Sequence, residues 1–213
     1  MTVGVDGGVV ESDLRAGVLV CPAPGCGGRL APWGWARARM IRGVAERLRP
    51  RRSRCSSAAG CGATHVLLPA SVLLRRADAV DVIGAALLAA AGGLGHRRVA
   101  ELVDRPASTV RGWLRRATRV AGRVLAVCAA AAAGFGADFV APAPVSAGGA
   151  VAALVEMLGA LGRAAGRRLG GSRSPWRLAS VVTSGRLLAP GGPNQVAAVA
   201  GPGNTSSLLA AGA

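Results

Sequence analysis

Apolar residues recur at helical spacing in five stretches of this chain and crowd together at strand density in one. In RRADAVDVIGAALLAAA, Val80, Ile83, Ala86 and Leu87 form a single stripe, and Gly92, Gly93 and Gly95 end the pattern. A shorter stripe of Val99, Ala100 and Val103 follows, then Val110, Trp113 and Leu114, the two separated by Asp104, Arg105 and Pro106. Pro106 suits the start of the second helix, where a missing N–H costs nothing. Beyond Arg116, TRVAGRVLAVCAAAAA either continues that helix or frays into a linker. Further along, Val151, Leu154, Leu158 and Leu161 predict another helix. The segment SPWRLASVVTSGRLL predicts a last one, with Ser174 as N-cap, Pro175 at the first helical position, and Trp176, Leu178, Val181 and Val182 docking on the helix before it. THVLLP, residues 64–69, reads as a strand.

The pattern divides the 213 residues into a mobile leader (1–18), a small β ribbon (19–70), a trihelical unit (71–123), a helix extension and linker (124–149), a C-terminal helical segment (150–189) and a disordered tail (190–213). The fold class expected is mainly α, with a small N-terminal β zinc ribbon followed by a trihelical helix-turn-helix domain and C-terminal helices. No stretch approaches the roughly 20 apolar residues of a membrane-spanning helix.

Residues His96 to Arg116 are the most informative stretch. Ala100 falls where two helices joined by a tight turn approach most closely, and only a small side chain fits there. The outward positions of the second helix are Ala107, Ser108, Arg111, Gly112, Arg115 and Arg116, with Thr109 in its first turn. In a helix-turn-helix, the N-terminal residues of that helix reach base edges in the major groove. Arg111 is the best candidate for a bidentate contact to guanine, supported by Ser108 and Arg115. Arg97, Arg98, Arg115 and Arg116 suit phosphates. A basic helical hairpin that reads no groove has the same local pattern.

Four of five cysteines come in two knuckle-like pairs, Cys21 with Cys26 and Cys55 with Cys61, each second cysteine followed by glycine. Two tight turns that bring four soft thiolates to one point are the chemistry of a zinc ribbon, and Gly27 and Gly62 let backbone N–H groups approach sulfur. Five residues separate the second pair, more than the usual two to four. His65 is an alternative fourth ligand, or simply a strand residue. Cys128, in CAAAAAG, reads as a small buried apolar residue. The first residues carry acids and no basic, apolar export signal, so a reducing cytoplasmic setting and metal are expected over disulfides. The ribbon has too little apolar content to fold without its metal.

Charge points to a polyanion. The formal net charge is +16, and all 26 basic residues are arginine, a usage that also fits a GC-rich coding sequence. Nine arginines lie between Arg29 and Arg54, interleaved with Trp33 and Trp35, and ten between Arg75 and Arg123 against four acids. A catalytic reading lacks its residues. No acid follows Glu156, no P-loop lysine exists, and only two histidines are available for a triad. Asp78 and Asp81 read as solvated helix charges.

The succession CPAPGCGGRL, WGWARARMIRG, CGATHVLLP and GHRRVAELVDRPASTVRGWLRR resembles transposase-associated zinc-ribbon and helix-turn-helix proteins, more narrowly an uncharacterised actinobacterial group in which a segment like SPWRLASVVTSGRLLAP also recurs. The likeness covers about Val20 to Arg123. It implies DNA binding linked to mobile elements, as a targeting or regulatory subunit beside a transposase-type partner; a homodimer is the other expected partner, since many helix-turn-helix proteins need two copies for specificity. The expectation is therefore a non-enzymatic, nucleoid-associated protein that binds double-stranded DNA. The alternative is an adaptor for a protein partner whose nucleic-acid affinity is only nonspecific.

Overall fold

Ten elements are formed in the computed structural model, which describes residues 2–3, 7–56, 58, 60–136, 149–170, 174–190 and 192–193. They are β1 (Thr2–Val3), α1 (Gly7–Arg15), β2 (Leu30–Trp35), β3 (Arg51–Cys55), β4 (Thr64–Pro69), α2 (Val80–Ala91), α3 (His96–Leu102), α4 (Ala107–Ala133), α5 (Gly149–Leu169) and α6 (Pro175–Val182). Residues 137–148 of the linker expected in 124–149, and most of the disordered tail expected at 190–213, lie outside the described residues, but Gly192 and Pro193 of that tail are buried.

The sheet runs in the order β1-β4-β3-β2. β2, β3 and β4 are antiparallel, with Leu30 opposite Cys55 and Arg51 opposite Leu67, and β1 joins β4 in parallel. Between Pro32 and Gly34 the β2 register slips, a bulge of the kind that protects an edge strand. One small core, formed by Val10, Leu14, Leu19, Leu30 and Leu67 with Cys21 and Cys55, lies under this sheet.

That core corrects the expectation of a mobile leader. Val10 and Leu14 stand four residues apart on α1 and are buried together on the ribbon. Outside them, Glu11 receives the Arg51 guanidinium at 2.8 Å and Arg15 at 3.2 Å. The Arg51 hydrogen bonds hold the Glu11 carboxyl below the usual carboxylate range.

The five remaining helices share one core. Val80, Ile83, Leu87, Val99, Val110, Trp113, Leu154, Leu158, Leu161 and Leu178 belong to it, so residues 71–123 and 150–189 do not form separate units. α4 continues unbroken to Ala133 and buries Val120, Val124, Val127, Cys128 and Ala132 along its length, mostly against α5. Burial pushes the Cys128 thiol up to about 12, as fits a small apolar filler. α2 begins at Val80 rather than at Arg75, because the residues before it are engaged elsewhere: Arg42 N–H donates to Ala77 O and Ala79 N–H to Arg42 O, both at 2.8 Å. Ile41, Val72 and Ala79 fill this junction between ribbon and helices.

Asp78 is not a solvated charge, and Asp81, with its side chain 41% exposed, is nonetheless paired. Asp78 is only 3% exposed and accepts both Arg42 (2.9 and 3.0 Å) and Arg105 (2.7 Å). Asp81 accepts the Ser174 hydroxyl at 2.8 Å and Arg177 at 3.0 Å, which ties the start of α6 to α2. Ser174 also caps α6, accepting from Arg177 N–H, with Pro175 at the helix start.

Contrary to the expectation that no helix reaches membrane length, α5 is long and apolar enough to cross a membrane by length and composition. Here its Leu154, Leu158, Leu161 and Ala165 are buried in the helical core.

At Gly84 of α2 the Trp176 ring of α6 packs directly on the backbone, leaving no room for an added Cβ. Gly84→Ala is expected to displace that ring and destabilise the fold by about 1–3 kcal/mol, outweighing the roughly 1 kcal/mol gained in helix propensity. Thermal unfolding is the check. An unchanged or higher Tm would mean that α6 does not pack on α2 as described.

Candidate metal centre and basic face

The two knuckles are hairpin turns. Val20 and Arg29 bridge at the mouth of the first, Cys21 N–H donates to Gly28 O at 2.8 Å, and Cys26 lies within the turn. Cys55 closes β3, and its N–H donates to Ala63 O at 2.9 Å, which leaves Cys61 in the loop that returns to β4. Gly62 has φ +69°, a left-handed conformation in which other side chains are strained. Because Leu30 pairs with Cys55, the sheet itself brings the knuckles together.

All four sulfurs lie within 4.8 Å of one another, with Cys21 to Cys61 and Cys26 to Cys55 each 3.7 Å. Such a group can hold a metal ion. The five-residue spacing of the second pair does not prevent convergence, since Cys55 and Cys61 both belong to the group. Every cysteine is free of disulfide.

Local electrostatics divide the thiols. Burial pushes Cys21 up to about 12, whereas Cys26 is drawn down to about 7 by the Gly28 N–H, which donates to its sulfur at 3.4 Å. Gly28, not the expected Gly27, supplies that N–H. A cation among the sulfurs favours all four thiolates. His65, on β4, sits with Nε2 3.4 Å from Cys21 Sγ but outside the four-sulfur group. Burial lowers its pKa, so a neutral imidazole can donate to that sulfur as an orienting partner.

The second feature is the elbow of α3 and α4. Val99, Ala100, Val110 and Trp113 are buried, as their spacing predicts, and Val103 and Leu114 pack at the margin. Asp104, at φ +50°, turns the chain, and Arg105 is drawn inward to Asp78. Arg97, Arg98, Ser108, Arg111 and Arg115 are exposed, while Thr109 and Arg116 are half-buried. Ser108, Arg111 and Arg115 follow at intervals of three and four along α4 and share one stripe.

Periodicity gives no hint of a further wall beside this helix. Arg75 and Arg76, in the segment leading to α2, face Ser108, Thr109, Gly112, Arg115 and Arg116 across a cleft. On the ribbon edge, Trp33 and Trp35 are each 52% exposed. Arg54 lies 4.8 Å from the Trp33 ring centre and Arg51 4.8 Å from that of Trp35, so those guanidiniums are stacked on indole.

Compared with protein-family models, with curated proteins and with solved structures, the chain matches none.

Proposed function

We propose that this protein binds double-stranded DNA sequence-specifically, with α3 and α4 as a helix-turn-helix and the four cysteines as a structural zinc site. The observation that carries the reading is the exposed stripe of Ser108, Arg111 and Arg115 on the first turns of α4, flanked by exposed Arg97 and Arg98. Arginine in that position offers a planar fork to guanine O6 and N7, and the neighbouring arginines suit phosphates. Zinc is supported by the sulfur spacing. Four ligands about 2.3 Å from a tetrahedral zinc stand about 3.8 Å apart, against the 3.7 Å of the two closest pairs. When bound, the ion would supply cross-linking of the two hairpins, not chemistry. The role would be that of a transcriptional regulator or a mobile-element accessory factor.

Selection from random duplexes at two salt concentrations tests the reading, expected to enrich one motif that survives the higher salt. Arg111→Ala should cost about 1–3 kcal/mol of discrimination at one base pair, whereas Arg97→Ala should weaken all duplexes alike and reduce the salt slope by about 1. Equal loss on every sequence for both variants would remove α4 from base reading.

A second reading, an adaptor for a protein partner, is favoured by Leu88, Leu94 and Leu102, exposed around the ends of α2 and α3. It predicts no enriched motif and binding that fades with salt.

A further inference from the structure

The cleft beside α4 has a volume of about 370 Å³ and concentrates more positive charge than the fold neutralises. Arg75 and Arg76 form one wall, and Ser108, Thr109, Arg115 and Arg116 the other. Its one carboxylate, Asp78, is already held by Arg42 and Arg105. Among the described residues, Arg75, Arg115 and Arg116 have no acidic partner.

Arg76 is the more telling. It donates one N–H to Leu188 O at 2.9 Å, but its Nε is buried without a partner. A buried donor left unmade is costly and calls for an explanation, of which a bound water or ion is one. Arg116 folds back over Gly112, its Nη1 only 3.0 Å from where a Cβ would stand, and so remains beside Arg76. Burial and the Arg116 charge both lower the Arg76 pKa, the sign of two cations held together without a counter-charge. Arg75 adopts φ +58°, a conformation that costs a non-glycine residue energy and persists where surrounding structure enforces it. The opposite wall includes Ser108 and Thr109 in the first turn of α4, whose N-cap, Pro106, has no side-chain acceptor and takes the Thr109 N–H on its carbonyl at 2.9 Å.

We infer that this cleft binds a phosphate group between Arg75 and Arg76 on one side and Thr109 and Arg116 on the other, and that in the DNA complex the group is a backbone phosphate beside the groove entered by α4. The source of the phosphate rests on the DNA-binding reading, but the chemistry of the cleft does not. Guanidinium pairs match tetrahedral oxyanions bidentately, and the Thr109 hydroxyl adds a neutral donor.

The test uses the full-length protein, Arg75→Gln and Arg116→Gln, with Arg168→Ala on α5, exposed and outside the cleft, as the reference. Pyrophosphate is followed by thermal shift and phosphorus line broadening, and duplex affinity by its salt dependence. Pyrophosphate is expected to raise the Tm of the parent and of Arg168→Ala, with the rise lost in the two cleft variants. Arg75→Gln is further expected to weaken duplex binding roughly 3- to 10-fold and to make the salt slope shallower by about 1, with sequence preference unchanged.

A pyrophosphate response confined to an intact cleft, in a protein that binds no duplex, would support the phosphate site while removing the DNA reading and assigning the site to a free phosphate compound. A salt-slope change without a pyrophosphate response would assign it to the backbone alone. If the cleft variants match Arg168→Ala in both measurements, the inference is overturned.

Discussion

Cys21→Ser is expected to release about one metal ion per chain and to unfold the ribbon while leaving the helical core standing. Cys21 is 4% exposed and belongs both to the four-sulfur group and to the small core beneath the sheet. That core has few large side chains, so little else offsets the entropy of ordering two long hairpins. A structural zinc links roughly 10–16 kcal/mol of apparent binding free energy to folding, and a serine oxygen replaces a thiolate poorly. Elemental analysis of the parent and variant, with amide exchange across β3 and β4, measures both consequences. A parent free of metal, with variant exchange unchanged, would reduce the cysteines to packed thiols.

Asp78→Ala should destabilise the whole molecule by about 3 kcal/mol, since removing one partner of a buried pair leaves its cations uncompensated. The value sits at the low end of that range because Arg42 is half exposed and regains water, whereas Arg105 does not. For a chain of this size the corresponding fall in Tm is roughly 6–12 °C. Arg105→Met placed in the Asp78→Ala background should recover part of the loss, which a double-mutant cycle reads as coupling. A change below about 0.5 kcal/mol would mean that the ion pairs add nothing to the apolar packing and backbone hydrogen bonds that join ribbon and helices.

What the chain discloses in advance depends on distance along it. Val99, Ala100, Val110 and Trp113 declare their burial through helical period, and Ser174 with Pro175 declares a helix start, because these signals need only a few neighbours. The cysteine pairs are equally legible, since each knuckle is a local turn and four thiolates have few reasons to converge. Asp78 is illegible for the opposite reason. An aspartate just before a helix reads as a solvated charge, and its partners lie 36 and 27 residues away. The same holds for Asp81, whose partners are 93 and 96 residues distant. In α1, a single pair, Val10 and Leu14, is too little periodicity to announce a helix behind two glycines. Arg75 and Arg76 register in sequence only as charge, and their place opposite α4 follows from the hydrogen bonds of Arg42 to Ala77 and Ala79.

The length of α4 has a consequence for aim. At 27 residues it is a rod of about 40 Å, and one uninterrupted helical phase governs both its ends. The direction of Arg111 and Arg115 is therefore set by which way Val120, Val124 and Val127 face, a stretch remote from the arginine stripe along the helix. Inserting one residue near Gly122 would turn the arginine stripe by about 100° relative to the buried valines, so the helix could satisfy its core or present its arginines to the same target, but not both.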